Sequence, residues 1–133
     1  PEYREVYEQR TLDTIQMFED QGIDVVIIEP APVVGPGRDP LKCLSGATFL
    51  EECEFRTNQV PTVVEQIYRD AAEADPNVWV LDPDRELCPS FPVCDVVVND
   101  MVVRWDHAHI TTTFARSLLP WLEAELDAQA ILE

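Results

Sequence analysis

"GIDVVIIEP" (residues 22–30) and "NVWVLD" (residues 77–82) decide the fold. Each holds four consecutive apolar residues, Val25–Ile28 and Val78–Leu81, closed on both sides by turn formers or charges. Runs this short, rich in β-branched residues and bounded by Gly, Asp, Asn or Pro, predict strands rather than helices. Because the apolar residues are continuous rather than alternating, both strands are expected to be buried on both faces, as in a parallel sheet.

A helical stretch precedes each run. Over residues 2–21, Val6, Leu12, Ile15 and Phe18, with Tyr3 and Tyr7, recur near helical spacing, and polar residues fill the rest. Gly22 suits the C-cap, with Ile23 folding back onto the last turn. Thr62 and Glu65 have capping-box spacing, which predicts a helix over Thr62–Ala74. Downstream, Val96–Val98 and Met101–Arg104 flank Asn99-Asp100 and predict a small hairpin. Threonines 111–113 offer caps for a final helix over Thr113–Ala128, striped by Phe114, Leu118, Trp121, Leu122 and Leu126. The longest irregular stretch is 30–58, carrying Pro30, Pro32, Pro36, Pro40, Gly35 and Gly37, with a short helix expected within "SGATFLEECEF" (45–55). Strands alternating with helices define an α/β chain.

At 133 residues the chain suits a single domain spanning 1–133. Its 26 Asp and Glu against 9 Lys and Arg give a net charge of −17, a field that repels phosphate backbones and excludes nucleic acid as a partner. No stretch reaches the roughly 20 apolar residues of a membrane span. Four cysteines, Cys43, Cys53, Cys88 and Cys94, allow three pairings. The two short loops, Cys43–Cys53 and Cys88–Cys94, are the expected pairing. Both lie in Pro- and Asp-rich sequence, which favours disulfides and an oxidising compartment over buried free thiols.

The chemistry concentrates in "RWDHAHITTTFA" (104–115). Asp106 stands three residues before His109, close enough for its carboxylate to reach Nδ1 and leave Nε2 as a general base. A structural reading of Asp106 as a turn cap competes with this. The serines are Ser45, Ser90 and Ser117. Ser117, eight residues on, would lie about 12 Å along a helix axis and cannot partner His109. Ser45 and Ser90 sit in loop sequence without a strand-to-helix turn to expose a nucleophile. His107, His109 and Asp106 could together meet a divalent metal; a solvent-facing His107 is the preferred reading, and no metal is expected. Trp105 is assigned to packing, Asp82, Asp84 and Arg85 to a turn, and the loop 30–42 to a turn-filled segment that could line a binding surface.

"RWDHAHITTTFARSL" resembles the Asp-x-x-His block that closes the SGNH hydrolase and esterase superfamily. With "GIDVVIIEPAP", "DPLKC", "NVWVLD" and "CPSFPVCDVVVNDMVVRWDHAHIT", the chain resembles the extracytoplasmic SGNH domain of bacterial family-three membrane O-acyltransferases. The resemblance implies a three-layer α/β/α, flavodoxin-like fold with a hairpin before the last helix. It also implies Asp106 and His109 as catalytic residues of a Ser-His-Asp site, with no cofactor. The superfamily's Gly-Asp-Ser nucleophile turn is absent, and Asn99-Asp100 repeats two letters of its Gly-x-Asn-Asp motif without the Gly. The nucleophile is therefore expected outside this chain, on a missing N-terminal half of an incomplete domain, a reading that the start at Pro1 favours. The parent would transfer an acyl group of acetyl type to a hydroxyl of a cell-envelope glycan or glycolipid. Its membrane acyltransferase domain would tether this one outside the cytoplasm. The alternative is a catalytically inactive SGNH-like binding module.

Overall fold

The structure is a computed structural model that describes residues 2–35 and 37–131. Pro1 and Pro36, the latter a member of the proline-rich stretch, lie outside the described residues. The elements are α1 (Glu2–Glu19), β1 (Val25–Ile28), α2 (Pro40–Leu44), a 3-10 turn (Leu50–Cys53), β2 (Phe55–Arg56), α3 (Val63–Ala74), β3 (Val78–Leu81), α4 (Asp84–Leu87), β4 (Val93–Cys94), β5 (Val97–Val98), β6 (Met101–Val102), α5 (Thr112–Ser117) and α6 (Leu119–Ala128). They fall into two compact units, Pro1–Pro30 with Val60–Asp82, and Ala31–Gln59 with Pro83–Glu133.

In the first unit β1 and β3 pair in parallel, Val25 opposite Val78 through Ile28 opposite Leu81. The α1 helix ends as its sequence directs. Gly22 adopts φ +71°, its N–H donates to the Glu19 carbonyl, and the Ile23 N–H reaches back to Phe18. Thr62 and Glu65 form the reciprocal capping box that starts α3. Ile15 of α1 and Ala71 of α3 pack with Val25, Ile27 and Val78 on one side of the sheet.

Two expectations fail here. Strand β1 is buried on one face only: Val25 and Ile27 turn toward that cluster, and the alternate residues Val26 and Ile28 remain exposed. Along α1 only Ile15 is buried among the described apolar residues, while Tyr3, Val6, Tyr7, Leu12 and Phe18 stay exposed. Val6 and Leu12 stand about 120° apart around an α-helix, so these residues wrap the helix instead of forming one stripe.

The second unit is built from short pieces tied by disulfides. Cys43 is bonded to Cys53 and Cys88 to Cys94. The irregular stretch holds more order than its prolines suggest. Asp39 caps α2 by accepting from the Lys42 N–H, and Pro40 occupies the first helical position. Strand β2 pairs antiparallel with β4, Phe55 opposite Cys94, and Thr57 N–H continues the ladder to the Pro92 carbonyl. Cys53, Phe55, Cys88, Cys94, Val34 and Val96 form one buried cluster. The hairpin β5–β6 turns at Asn99 and Asp100, both left-handed at φ +49° and +61°, the geometry of a type I′ turn. The final helix is broken in two at Leu118, with Pro120 at the start of α6. Phe114 carries its expected burial against Leu87, Val98 and Val103.

Candidate active site

Pairing continues past β6. Arg104 and Ile110 form an antiparallel bridge. Thr111 N–H donates to the Val103 carbonyl and Trp105 N–H to the His109 carbonyl, both at 2.9 Å. Within the three-residue loop 106–108 between these ends, Asp106 supplies a side-chain acceptor. Its Oδ1 accepts from the N–H groups of Ala108 and His109, each at 2.8 Å. This Asx-type turn is what an Asp at its first position favours.

The same carboxylate meets the histidine ring. His109 Nδ1 lies 3.0 Å from Asp106 Oδ2 and 3.2 Å from Oδ1. With the proton assigned to Nδ1 it donates to the carboxylate, which leaves Nε2 as the acceptor on a ring whose side chain is 76% exposed. The hydrogen bond from His109 and the two backbone N–H groups hold the Asp106 carboxyl well below the usual carboxylate range. A turn cap and a histidine orienter, alternatives in the sequence, are one group here.

Directly after the pair, Thr111 Oγ1 donates to the Val102 carbonyl at 2.7 Å and accepts from the Phe114 N–H, capping α5, which starts three residues past His109. Beneath the turn lies Arg104, which carries no local sequence signal beyond a charge at a strand end. Its side chain is buried, Nη2 donates to the Pro32 carbonyl at 2.6 Å, and the guanidinium stands 5.7 Å from the centre of the Phe55 ring. Burial lowers its pKa, opposed by the charges of Asp84 and Asp106.

The remaining candidates disperse. Ser45 Oγ donates to the Lys42 carbonyl and Ser117 Oγ to that of Phe114, each capping its own helix end. Ser90 is exposed in the loop closed by Cys88–Cys94. Among the described residues no serine hydroxyl is bonded to the His109 ring. His107 is exposed, and among the described residues no three His, Cys, Asp or Glu side chains are placed to hold a metal ion. Trp105 departs from its assignment to packing: it is 56% exposed. Arg85 stacks over the Phe91 ring at 5.0 Å. Asp82 joins an ion pair at the carboxyl ends of β1 and β3, where Arg69 of α3 holds the buried Glu29 through Nε and Nη2, both at 2.6 Å, and Asp82 at 3.2 Å. The proline-rich loop lines a cavity of about 400 Å³ with Val34, Arg38, Lys42 and the Cys43–Cys53 bridge.

Among the described residues no helix is long and apolar enough to cross a membrane. No curated protein and no solved structure matches the chain. A family model described as "SGNH domain (fused to AT3 domains)" matches residues 2–124, a span that includes sequence from both units. With that match over nearly its whole length, the chain belongs to the SGNH domains found fused to AT3 domains, and its α/β fold is of that type.

Proposed function

We propose that this chain carries the histidine and aspartate of a Ser-His-Asp acyl-transfer site. The observation that carries the reading is the Asp106–His109 contact of 3.0 Å, made by a carboxylate that is itself anchored by two backbone N–H groups. Such a carboxylate fixes the tautomer and stabilises the imidazolium, which is what a general base for a hydroxyl requires. The serine comes from sequence outside these residues, since the three present here cap helices or sit in a stapled loop.

In the first step Nε2 of His109 takes the serine proton as Oγ attacks the acyl carbonyl, and returns it to the donor's leaving oxygen or sulfur. In the second, Nε2 takes the proton of an acceptor hydroxyl, whose oxygen attacks the acyl-serine, and the proton passes back to the departing Oγ. Asp106 stays ionised throughout. The AT3 fusion supports transfer from a membrane acyltransferase domain of the same protein to a cell-envelope glycan or glycolipid. Two disulfides support a site outside the cytoplasm. The family match across both units supports one domain spanning them.

The test uses the full-length protein and a fluorophosphonate probe. The labelled serine is expected outside residues 1–133, with labelling slowed strongly by His109→Ala. A label on Ser45, Ser90 or Ser117 would refute the assignment of the nucleophile. A His109→Ala protein that labels and transfers acyl groups at the wild-type rate would refute the site, and would favour an SGNH-like binding module instead.

A further inference from the structure

The antiparallel geometry around the dyad places one more residue beside His109. The hydrogen bonds Thr111 to Val103 and Trp105 to His109 flank the Arg104–Ile110 bridge, so Trp105 and His109 are the next residues facing each other. Side chains alternate across such a ladder, and directly opposed residues have Cβ atoms about 4.5–5.5 Å apart. Burial follows that alternation. Arg104 is 2% exposed and points inward, whereas Trp105 and His109 both lie on the open face. Trp79 and Trp121 are half-buried, so Trp105 is the tryptophan that presents its ring to solvent.

An isolated exposed aromatic needs no explanation, but one that the strand register sets opposite a carboxylate-oriented histidine has a chemical consequence. The indole offers a flat apolar face and a single N–H donor. That combination suits the C–H face of a pyranose ring, whose hydroxyls then project from its edge. The net charge of −17 disfavours an anionic headgroup on the same surface. We propose that Trp105 is the acceptor-binding residue of the site: its indole stacks on a neutral pyranose ring and presents one hydroxyl of that ring to His109 Nε2. The proposal rests on the reading of His109 as the general base and adds the residue that holds the acceptor.

The experiment compares wild type, Trp105→Ala, Trp105→Phe and His109→Ala in the full-length protein. p-Nitrophenyl acetate is the donor, and water, cellotetraose, chitotetraose and diacylglycerol are the acceptors. Trp105→Ala is expected to raise KM for the oligosaccharides by about tenfold, equivalent to about 1.4 kcal/mol, with a much smaller effect on hydrolysis in water. Trp105→Phe, which keeps an aromatic face, is expected to restore most of the difference. An oligosaccharide KM unchanged in Trp105→Ala overturns the proposal, as does hydrolysis falling in parallel with transfer, which would mark a structural role. Wild-type transfer to diacylglycerol and to neither oligosaccharide also overturns it. The two readings fail separately: full hydrolysis by His109→Ala removes the site itself, whereas an inactive His109→Ala beside a silent Trp105→Ala removes only the acceptor role.

Discussion

Replacing Arg104 tests whether the turn that carries the dyad is held from below. The Arg104 guanidinium is buried, donates to the Pro32 carbonyl at 2.6 Å and stands 5.7 Å from the Phe55 ring centre. Losing a hydrogen bond from a charged donor costs about 1.5–3 kcal/mol, and a partly desolvated cation–π contact adds about 0.5–2 kcal/mol. Against this, a hydrophobic replacement avoids the desolvation of a guanidinium, which offsets part of the loss. Asp84 and Asp106, the acidic neighbours that oppose the burial effect on Arg104, are only half-buried, so their stranded charge adds little. Arg104→Met, which keeps most of the volume, should therefore destabilise the protein by about 2 kcal/mol. Arg104→Ala adds lost packing and should cost about 3–4 kcal/mol. Urea unfolding followed by tryptophan fluorescence measures both, read as a shift of midpoint at constant slope. An Arg104→Met protein as stable as wild type or more so would show that the buried charge is a net burden, and the support assigned to it would be wrong.

Asp106→Asn keeps an oxygen for the Ala108 and His109 N–H groups but loses the charge that orients Nδ1. Activity of the full-length protein should fall by about 10³–10⁴ while the protein stays folded; a loss of under tenfold would refute the orienting role. The Asp106 carboxyl titrates below its unfolded value of about 3.9, so its contribution to stability is present above that pH and is lost as pH falls through the folded value. The Asp106 side-chain carboxyl carbon should accordingly keep the resonance of the ionised form down to about pH 4, and a carboxyl titration midpoint above that contradicts the geometry. Removing either disulfide should cost about 2–3 kcal/mol by loop entropy, read as a drop in melting temperature on reduction. Arg69→Met strands the buried Glu29 carboxylate and should destabilise by about 2–3 kcal/mol, discounted for the partial exposure of Arg69; adding Glu29→Gln should recover most of it, and simple additivity in the double-mutant cycle would refute the coupling.

What the sequence reveals is what local chemistry determines. Strands β1 and β3 and the start of α3 occupy their predicted residues, because a four-residue apolar run and a Thr-x-x-Glu box each act within one turn of chain. The hairpin turn follows from Asn99 and Asp100, two residue types that tolerate positive φ. Burial is a different matter, since it depends on what lies across the element. The run Val25–Ile28 cannot announce that its second face is open, and the apolar residues of α1 cannot announce that only Ile15 finds a partner. Helix α2 was legible in Asp39-Pro40, an N-cap followed by a proline at the first helical position, but the surrounding prolines obscured it. Arg104 and the Arg69–Glu29 pair were beyond reach, because their partners lie 72 and 40 residues away in sequence.

The dyad is legible for the opposite reason. Asp106 closes its own turn through the N–H groups of residues two and three further on and, with the same carboxylate, holds the ring of the second of them. The contacts of the Asp106 carboxylate with the His109 amide and ring are therefore made within four consecutive residues. A nucleophilic serine has no such economy. On the proposed reading its Oγ approaches Nε2, on a ring whose side chain is 76% exposed. Local spacing encodes, on the same reading, the base and its orienter, and the third member is delivered by another part of the protein. On that reading the exposed ring of His109 leaves room for both hydroxyl partners, nucleophile and acceptor, to arrive from outside the turn.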